Sequence, residues 1–530
     1  MPEPDPSPVT TGDARITARP RIVAAIDIGA TSMRMAIAEI RGDGSIHLLD
    51  TLVQPVNLGK DAFTARRFRR ATIEEAVRVL RSYQRVVREY AIGPDSIRVV
   101  ATSAVRESVN RLTFIDRVYI ATGLKVEAID EAEVNRITYM GIQPQLDADP
   151  ELASAKCVVV EVGGGSTEML VVRGGNVLYA NTYRLGALRI AQTLRSLGAP
   201  ARQRVPLLEN QIRRAVARIS EAVRVDMKIE MIALGGDIRF AVRQLLGDWD
   251  EETLATIDVD QLATLANRAL RRSSEELVQQ YRISFAEAET LGPALMTYTM
   301  LARRFELKHL LVSNTNLRDG LLKDMVVRDS WTAEFHNQII RSAVTLGRKF
   351  DFDEGHARHV AQLARKLFFE LAPEHQLDRR YEVLLHVAAL LHEVGLFVNV
   401  RSNHKHAMYL IRNSEIFGLS RQELLLVSLI ARYHRRAYPQ PLHEGYGTLD
   451  RDQRVVVSKL SAILRLAIAL DESRSGRVKE VRCQRERERL IITVPAVDDV
   501  SLEQLAMRQN AGLFEEVFGL GVLLRPGRRL

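Results

Sequence analysis

Apolar residues along this chain show two textures. Up to about residue 328, short β-rich runs alternate with helical periodicities; from Trp331 onward helix follows helix. The run Val158-Val-Val-Glu-Val-Gly-Gly-Gly-Ser-Thr-Glu-Met-Leu-Val-Val172 sets three glycines between two apolar stretches, which predicts strand, tight turn and strand. Ile22-Val-Ala-Ala-Ile-Asp-Ile-Gly-Ala-Thr-Ser-Met-Arg-Met-Ala-Ile-Ala-Glu-Ile40 has the same layout. Asp27, Gly29 and Ser32 repeat the spacing of Glu161, Gly163 and Ser166. Both copies pass through a polar glycine turn (Arg41-Gly-Asp-Gly44; Arg173-Gly-Gly-Asn176) into a third β-like run. One strand–turn–strand–turn–strand unit therefore occurs twice.

Between and after these units the pattern predicts further elements. Thr72-Ile-Glu-Glu75 reads as a capping box, and Ile73, Ala76, Val77, Leu80, Tyr83, Val87 and Tyr90 follow helical spacing, giving an amphipathic helix over 72–90. A buried strand begins at Ile97 and leads into a polar turn and a helix; another strand–helix pair starts at Val126. Residues 142–156 read as a loop, and 207–224 as an arginine-rich helix. Glu230-Met-Ile-Ala-Leu-Gly-Gly-Asp237 is a buried strand ending in paired glycines. Near the C-terminus Leu490-Ile-Ile-Thr-Val494 is a strand, the polar run holding Val478, Val481 and Cys483 a weaker one, and 501–509 a helix.

Composition narrows the setting. A chain of 530 residues exceeds one core and implies three or four domains. Two cysteines, Cys157 and Cys483, make no disulfide framework, so a reducing, cytoplasmic location is expected. No run reaches the length of a membrane span. Residues 1–20 hold five prolines and no apolar stretch, which reads as a disordered tail. A net charge of +8 and pI near 9.5 favour a polyanionic partner, though an arginine-rich background would give the same figures. Lys60, Arg66, Arg67, Arg69 and Arg70 form one basic cluster, read as a solvated surface ahead of a phosphate-chain track, and Arg432-Tyr-His-Arg-Arg436 is a candidate anion contact.

The chemistry gathers at the repeated turns. Glycine lets a backbone bend tightly and lets a ligand approach the amides, and successive N–H groups make an anion-binding concavity. Ser166 and Thr167 add hydroxyls, and Asp27 and Glu161 stand just before the turns. Two such units facing one another would surround a cleft with two carboxylates and two amide nests, which suits Mg²⁺-bridged phosphate chains.

These residues resemble the first and second phosphate motifs of the actin-like ATPase and sugar kinase superfamily, and more closely those of the exopolyphosphatase and guanosine pentaphosphate phosphatase (Ppx/GppA) family. Gly163 to Glu168 match the second motif, with Glu161 in place of its aspartate; Asp27, Gly29, Ser32 and Arg34 match the first, with departures at Ala30 and Thr31. Val100-Ala-Thr-Ser-Ala-Val-Arg106, Gly235-Gly236 and Leu317-Arg-Asp-Gly-Leu-Leu322 resemble further family segments. The resemblance implies an α/β fold: two ribonuclease H-like lobes around a cleft (21–141 and 142–328), an all-α HD-like domain (329–474) and a small α/β element (475–530). It implies Mg²⁺ or another divalent cation at Asp27 and Glu161. Substrate contacts are implied at Gly29, Thr31, Ser32, Arg34, Arg106, Gly163, Gly164, Gly165, Ser166, Thr167, Gly235 and Gly236. Glu161 and Glu168 are candidate catalytic residues. The family's water-activating glutamate falls on Val134 in an ungapped match, and Glu133 is the carboxylate expected to stand in for it.

Ten of the twelve histidines lie between His336 and His443. His356 and His359, His392-Glu393 and Asp471 resemble the spacing of HD-type metal phosphohydrolases, with Glu393 replacing an aspartate; the favoured reading is a helical module that keeps the fold without metal. The implied activity is removal of terminal phosphate from polyphosphate or guanosine pentaphosphate by a homodimer with no membrane and no specific nucleic-acid partner. A polyphosphate or alarmone sensor is the alternative, and an ATP-dependent kinase of the same superfold a more remote one, since no second-substrate motif accompanies the turns.

Overall fold

Residues 20–196, 201–223, 229–327, 333–435, 437–495 and 497–527 are described by a computed structural model. The expected tail other than Pro20, Trp331, Arg436 and the last position of the 207–224 helix lie outside them. The chain divides into two compact units. One comprises residues 1–129, 137–169 and 183–328; the other comprises 130–136, 170–182 and 329–530.

Five strands make the first sheet: β1 (Arg21–Ile28), β2 (Ser32–Ile40), β3 (Ile46–Pro55), β4 (Ile97–Ala101) and β5 (Val126–Ala128), in the order β3-β2-β1-β4-β5. β1 to β3 are antiparallel, and β4 and β5 add in parallel. This is the ribonuclease H-like arrangement, and β1 reads as an almost unbroken apolar run because it is buried along nearly its whole length. A second sheet takes β6 (Lys156–Val162), β7 (Thr167–Arg173), β8 (Asn176–Tyr183), β9 (Ile229–Leu234), β10 (Ala255–Asp258) and β11 (His309–Val312), in the order β10-β11-β9-β6-β7-β8. The series β8-β7-β6-β9 repeats β3-β2-β1-β4, so the sequence repeat is a structural one. The turns match too: the Gly29 N–H donates to Ser32 O at 3.0 Å, and that of Gly163 to Ser166 O at 2.9 Å.

Two expectations are corrected. The helix expected from Thr72 begins at Arg70, and its capping box does not form. The distant carboxylate of Asp61 does the capping instead: it accepts the Arg69 N–H at 2.9 Å and the Thr72 hydroxyl at 2.6 Å. Residues 142–156 are not a loop. The helix Glu131–Ala148 runs through Pro144, and a short helix Pro150–Ser154, capped by Asp149, follows. One proline removes a single helical hydrogen bond, and burial of Ile142 and Leu146 on either side holds the turn.

In the second unit the helix Tyr381–Leu391 is buried over most of its surface, among the helices Ala333–Lys349, Glu354–Glu370, Arg421–Arg432 and Arg451–Ala469. Capping boxes at Ser420 and Asp450 start the last two. β12 (Arg482–Glu486), β13 (Arg489–Val494) and β14 (Gly521–Pro526) form a small third sheet, with β13 parallel to β14. The helix Gly512–Phe518 and β14 were not anticipated. No helix among the described residues is long and apolar enough to cross a membrane.

Candidate active site

The two repeated turns meet. A Cβ on Gly164 would lie 3.2 Å from the Ala30 Cβ and 3.4 Å from the Thr31 Cγ2, so the two loops are in close contact and a side chain there would press them apart by a few tenths of an ångström. The carbonyls of the second loop are tied down by the helix Ala187–Ser196: Gly163 O accepts from Ala187 N at 2.9 Å, and Gly164 O from Arg189 N at 3.0 Å. Gly165 O accepts from Arg189 Nε at 2.8 Å. In a trans peptide the N–H points opposite to the carbonyl, so the amides of Gly164, Gly165 and Ser166 face away from that helix. The Thr167 hydroxyl is taken by Leu185 O at 2.6 Å and does not extend this row of donors.

Asp27 and Glu161 each lie one residue from the end of their strands, β1 and β6. Asp27 is 5% exposed, and its Oδ1 has no hydrogen-bond partner. Burial raises the pKa of both carboxyls, and the charge of Asp27 adds to the rise at Glu161, while nearby guanidiniums oppose the shift. Those guanidiniums come from three places. Arg34 stands opposite Asp27 in the β1–β2 register. Arg239 projects from the helix Gly236–Leu246 and donates to Asn314 O at 3.2 Å. Arg318, on the helix Leu317–Val327, is 9% exposed, and its buried Nη1 has no partner. Burial and the charge of Arg34 push Arg239 and Arg318 below the usual arginine range.

The paired glycines reach the same place. Gly235, at φ +114°, lies beside Glu161, and a Cβ on Gly236 would be 3.9 Å from Arg34 Nη2. Asp237 accepts from the Thr290 hydroxyl at 3.1 Å, and burial pushes its carboxyl up to about 7. Glu168 on β7 is also buried; Ser166 Oγ donates to it at 2.5 Å. Burial, then the charge of Glu161, pushes it up to about 7 against the pull of Arg106. Arg106 itself donates to Ile129 O at 3.0 Å. Sequence reasoning thus missed Arg239, Arg318 and Asp237. The signals were present: Asp237 and Arg239 follow Gly235-Gly236 directly, and Arg318 is the arginine of the Leu317–Leu322 segment.

Glu133 and Val134 belong to the second unit. The Glu133 carboxylate accepts from Arg136 Nε at 2.8 Å and Nη2 at 2.6 Å. Val134 is buried at 7% exposure. In the same unit His356 Nδ1 lies 2.8 Å from Asp471 Oδ2, and His356, His392 and Glu393 bring one ligand atom each within 4.8 Å of one another. Arg474 pairs with Glu393 at 2.6 Å. Arg432 is no surface anion contact: it is buried, with Nη1 on Met408 Sδ at 3.2 Å and Glu444 O at 3.4 Å.

Asp27 and Glu161 fit a hard divalent cation such as Mg²⁺, since they supply oxygen donors and one buried oxygen lacks any hydrogen bond. Comparison with known proteins agrees with the geometry. The Ppx/GppA phosphatase family model matches residues 36–329, and that of Ppx/GppA phosphatase domain III matches residues 340–510. An exopolyphosphatase from Cytophaga hutchinsonii is similar in fold, with TM-score 0.52 and 19% identity over 58% of this chain and 98% of its own. An exopolyphosphatase-like protein gives 0.51 and 23% over 59% and 99%. An Aquifex aeolicus member of the Ppx/GppA family gives 0.49 and 24% over 59% and 100%. The first family match alone covers more than half of the 530 residues, so this chain belongs to the Ppx/GppA phosphatase family.

Proposed function

We propose that the protein removes the terminal phosphate of inorganic polyphosphate by water attack at the meeting turns, and that guanosine pentaphosphate, which ends in the same anhydride, is a second substrate. The observation that carries this reading is the convergence of Asp27, Glu161 and three arginines on two facing glycine loops. The similarity in fold to exopolyphosphatases points to the same substrate class. The amides of Gly164 to Ser166 and the guanidiniums of Arg34, Arg239 and Arg318 grip the phosphoryl oxygens, and the unpartnered Arg318 Nη1 gains an acceptor. A divalent cation at Asp27 and Glu161 would neutralise charge on the terminal phosphoryl group. Water adds to the terminal phosphorus, the bridging P–O bond breaks, and its electron pair stays with the shortened chain. The water proton passes to Glu168, whose pKa near 7 suits a base at neutral pH. Positioning and electrostatics supply most of the barrier reduction in such transfers.

A second reading keeps Glu133 as the stand-in for the family's glutamate, because that glutamate falls on the neighbouring Val134 in an ungapped match. The test is release of phosphate from polyphosphate with Mg²⁺. Asp27→Asn and Glu161→Gln are expected to abolish turnover in a folded protein. Glu168→Gln should lower kcat by about 10²–10⁴ if it is the base. Under the second reading Glu133→Gln lowers kcat and Val134→Glu raises it with little change in KM. Binding of polyphosphate with no turnover by the wild type would make the protein a sensor.

A further inference from the structure

We propose that His336, Glu382 and His386 form a binding site for a zinc-class transition-metal ion in the second unit, distinct from the glycine-turn site and from the HD-type histidines. His336 comes from the helix Ala333–Lys349. Glu382 and His386 are four residues apart on one face of the helix Tyr381–Leu391. One ligand atom from each lies within 4.8 Å of the others.

The separations decide what these groups do. His336 Nδ1 is 3.5 Å from Glu382 Oε2, and His386 Nδ1 is 3.6 Å from Glu382 Oε1. Both are too long for an N–H···O hydrogen bond. They match a shared cation instead: ligands at about 2.0–2.1 Å from a tetrahedral centre lie roughly 3.3–3.4 Å apart. Glu382 is 5% exposed, and its Oε1 and the buried His386 Nδ1 each lack a hydrogen bond. The rings of His336 and His386 meet edge to face, with centroids 5.8 Å apart. Burial lowers the pKa of His336, which favours the neutral imidazole that a metal requires.

Arg365 is the competitor for Glu382, with Nε 3.0 Å from Oε1. That side chain is half exposed and already lies by the Phe369 ring, 5.9 Å from its centroid, so it can yield its place to a cation. Two imidazoles and a carboxylate select zinc-like ions over Mg²⁺ and leave a fourth position for water. A bound ion would pin the first helix of the bundle to the buried Tyr381–Leu391 helix.

The test uses the full chain, stripped with chelator and titrated with Zn²⁺ in excess Mg²⁺. The wild type should bind one more equivalent of zinc than His386→Ala, and His356→Ala/His392→Ala should keep that equivalent. Co²⁺ in its place should give the visible absorption of a tetrahedral site, lost in His386→Ala. Zinc should raise the Tm of the wild type and not of His386→Ala. His336→Gln, on the less buried ligand, serves if His386→Ala does not fold by circular dichroism. Equal zinc stoichiometry in the wild type and the folded variant would overturn the site and leave an ion-pair cluster only. Loss of zinc confined to the His356/His392 variant would do the same.

Discussion

Glu168 carries the clearest consequence of burial. Its carboxyl titrates near 7 in the folded protein against a usual value of 4.5. Between those values the native state holds a proton that the unfolded chain has released. Stability from this group is therefore greatest below pH 4.5 and declines as pH rises through 7, by at most about 3 kcal/mol. Glu168→Gln should raise the urea midpoint of the metal-free protein at pH 8 and leave it unchanged at pH 4, while turnover falls. A Gln variant less stable than the wild type at pH 8 would mean that the ionised carboxylate is well satisfied in the fold. Arg318 poses the complementary case, a buried donor without an acceptor, which costs on the order of 1–3 kcal/mol until an anion arrives.

Among the elements, the helix Arg70–Glu89 shows where local pattern misleads. Thr72 and Glu75 have capping-box spacing, yet the chain is already helical at Arg70, and Thr72 spends its hydroxyl on Asp61. Asp61 also accepts both the backbone N–H and the Nε of Arg69 at 2.9 Å. Asp61→Ala removes the cap and leaves the buried Thr72 hydroxyl unpaired, an expected loss of about 2 kcal/mol in denaturant melts. Glu75→Ala, the partner in the expected box, should change stability by less than about 0.5 kcal/mol. The box was legible as a motif; its failure was not, because the cap arrives from a residue eight positions before Arg69, in the preceding short helix Leu58–Thr64.

On the scale of the molecule, the first basic cluster is partly neutralised: Lys60 pairs with Glu289 at 3.1 Å and Arg69 with Asp61 at 2.9 Å. Arg66, Arg67 and Arg70 remain exposed. If long polyphosphate runs over them, its affinity falls more steeply with salt than that of short chains, as counterion release requires. Substituting all three by Ala should flatten the long-chain slope and spare the short one; equal slopes in the wild type would rule out the track. The sequence by itself determined the paired strand–turn–strand units, the glycine turns, the switch to helices near residue 330 and the family. These rest on periodicity and on backbone freedom, which are written within a dozen residues. Only the tertiary structure decided that Arg239 and Arg318 join Asp27 and Glu161, that Asp61 caps a helix, that the chain stays helical past Pro144, and that His336 faces Glu382 and His386. Each depends on packing between segments far apart in the chain, and the shifted pKa values depend on the exclusion of water that this packing creates; neither leaves a local pattern to read.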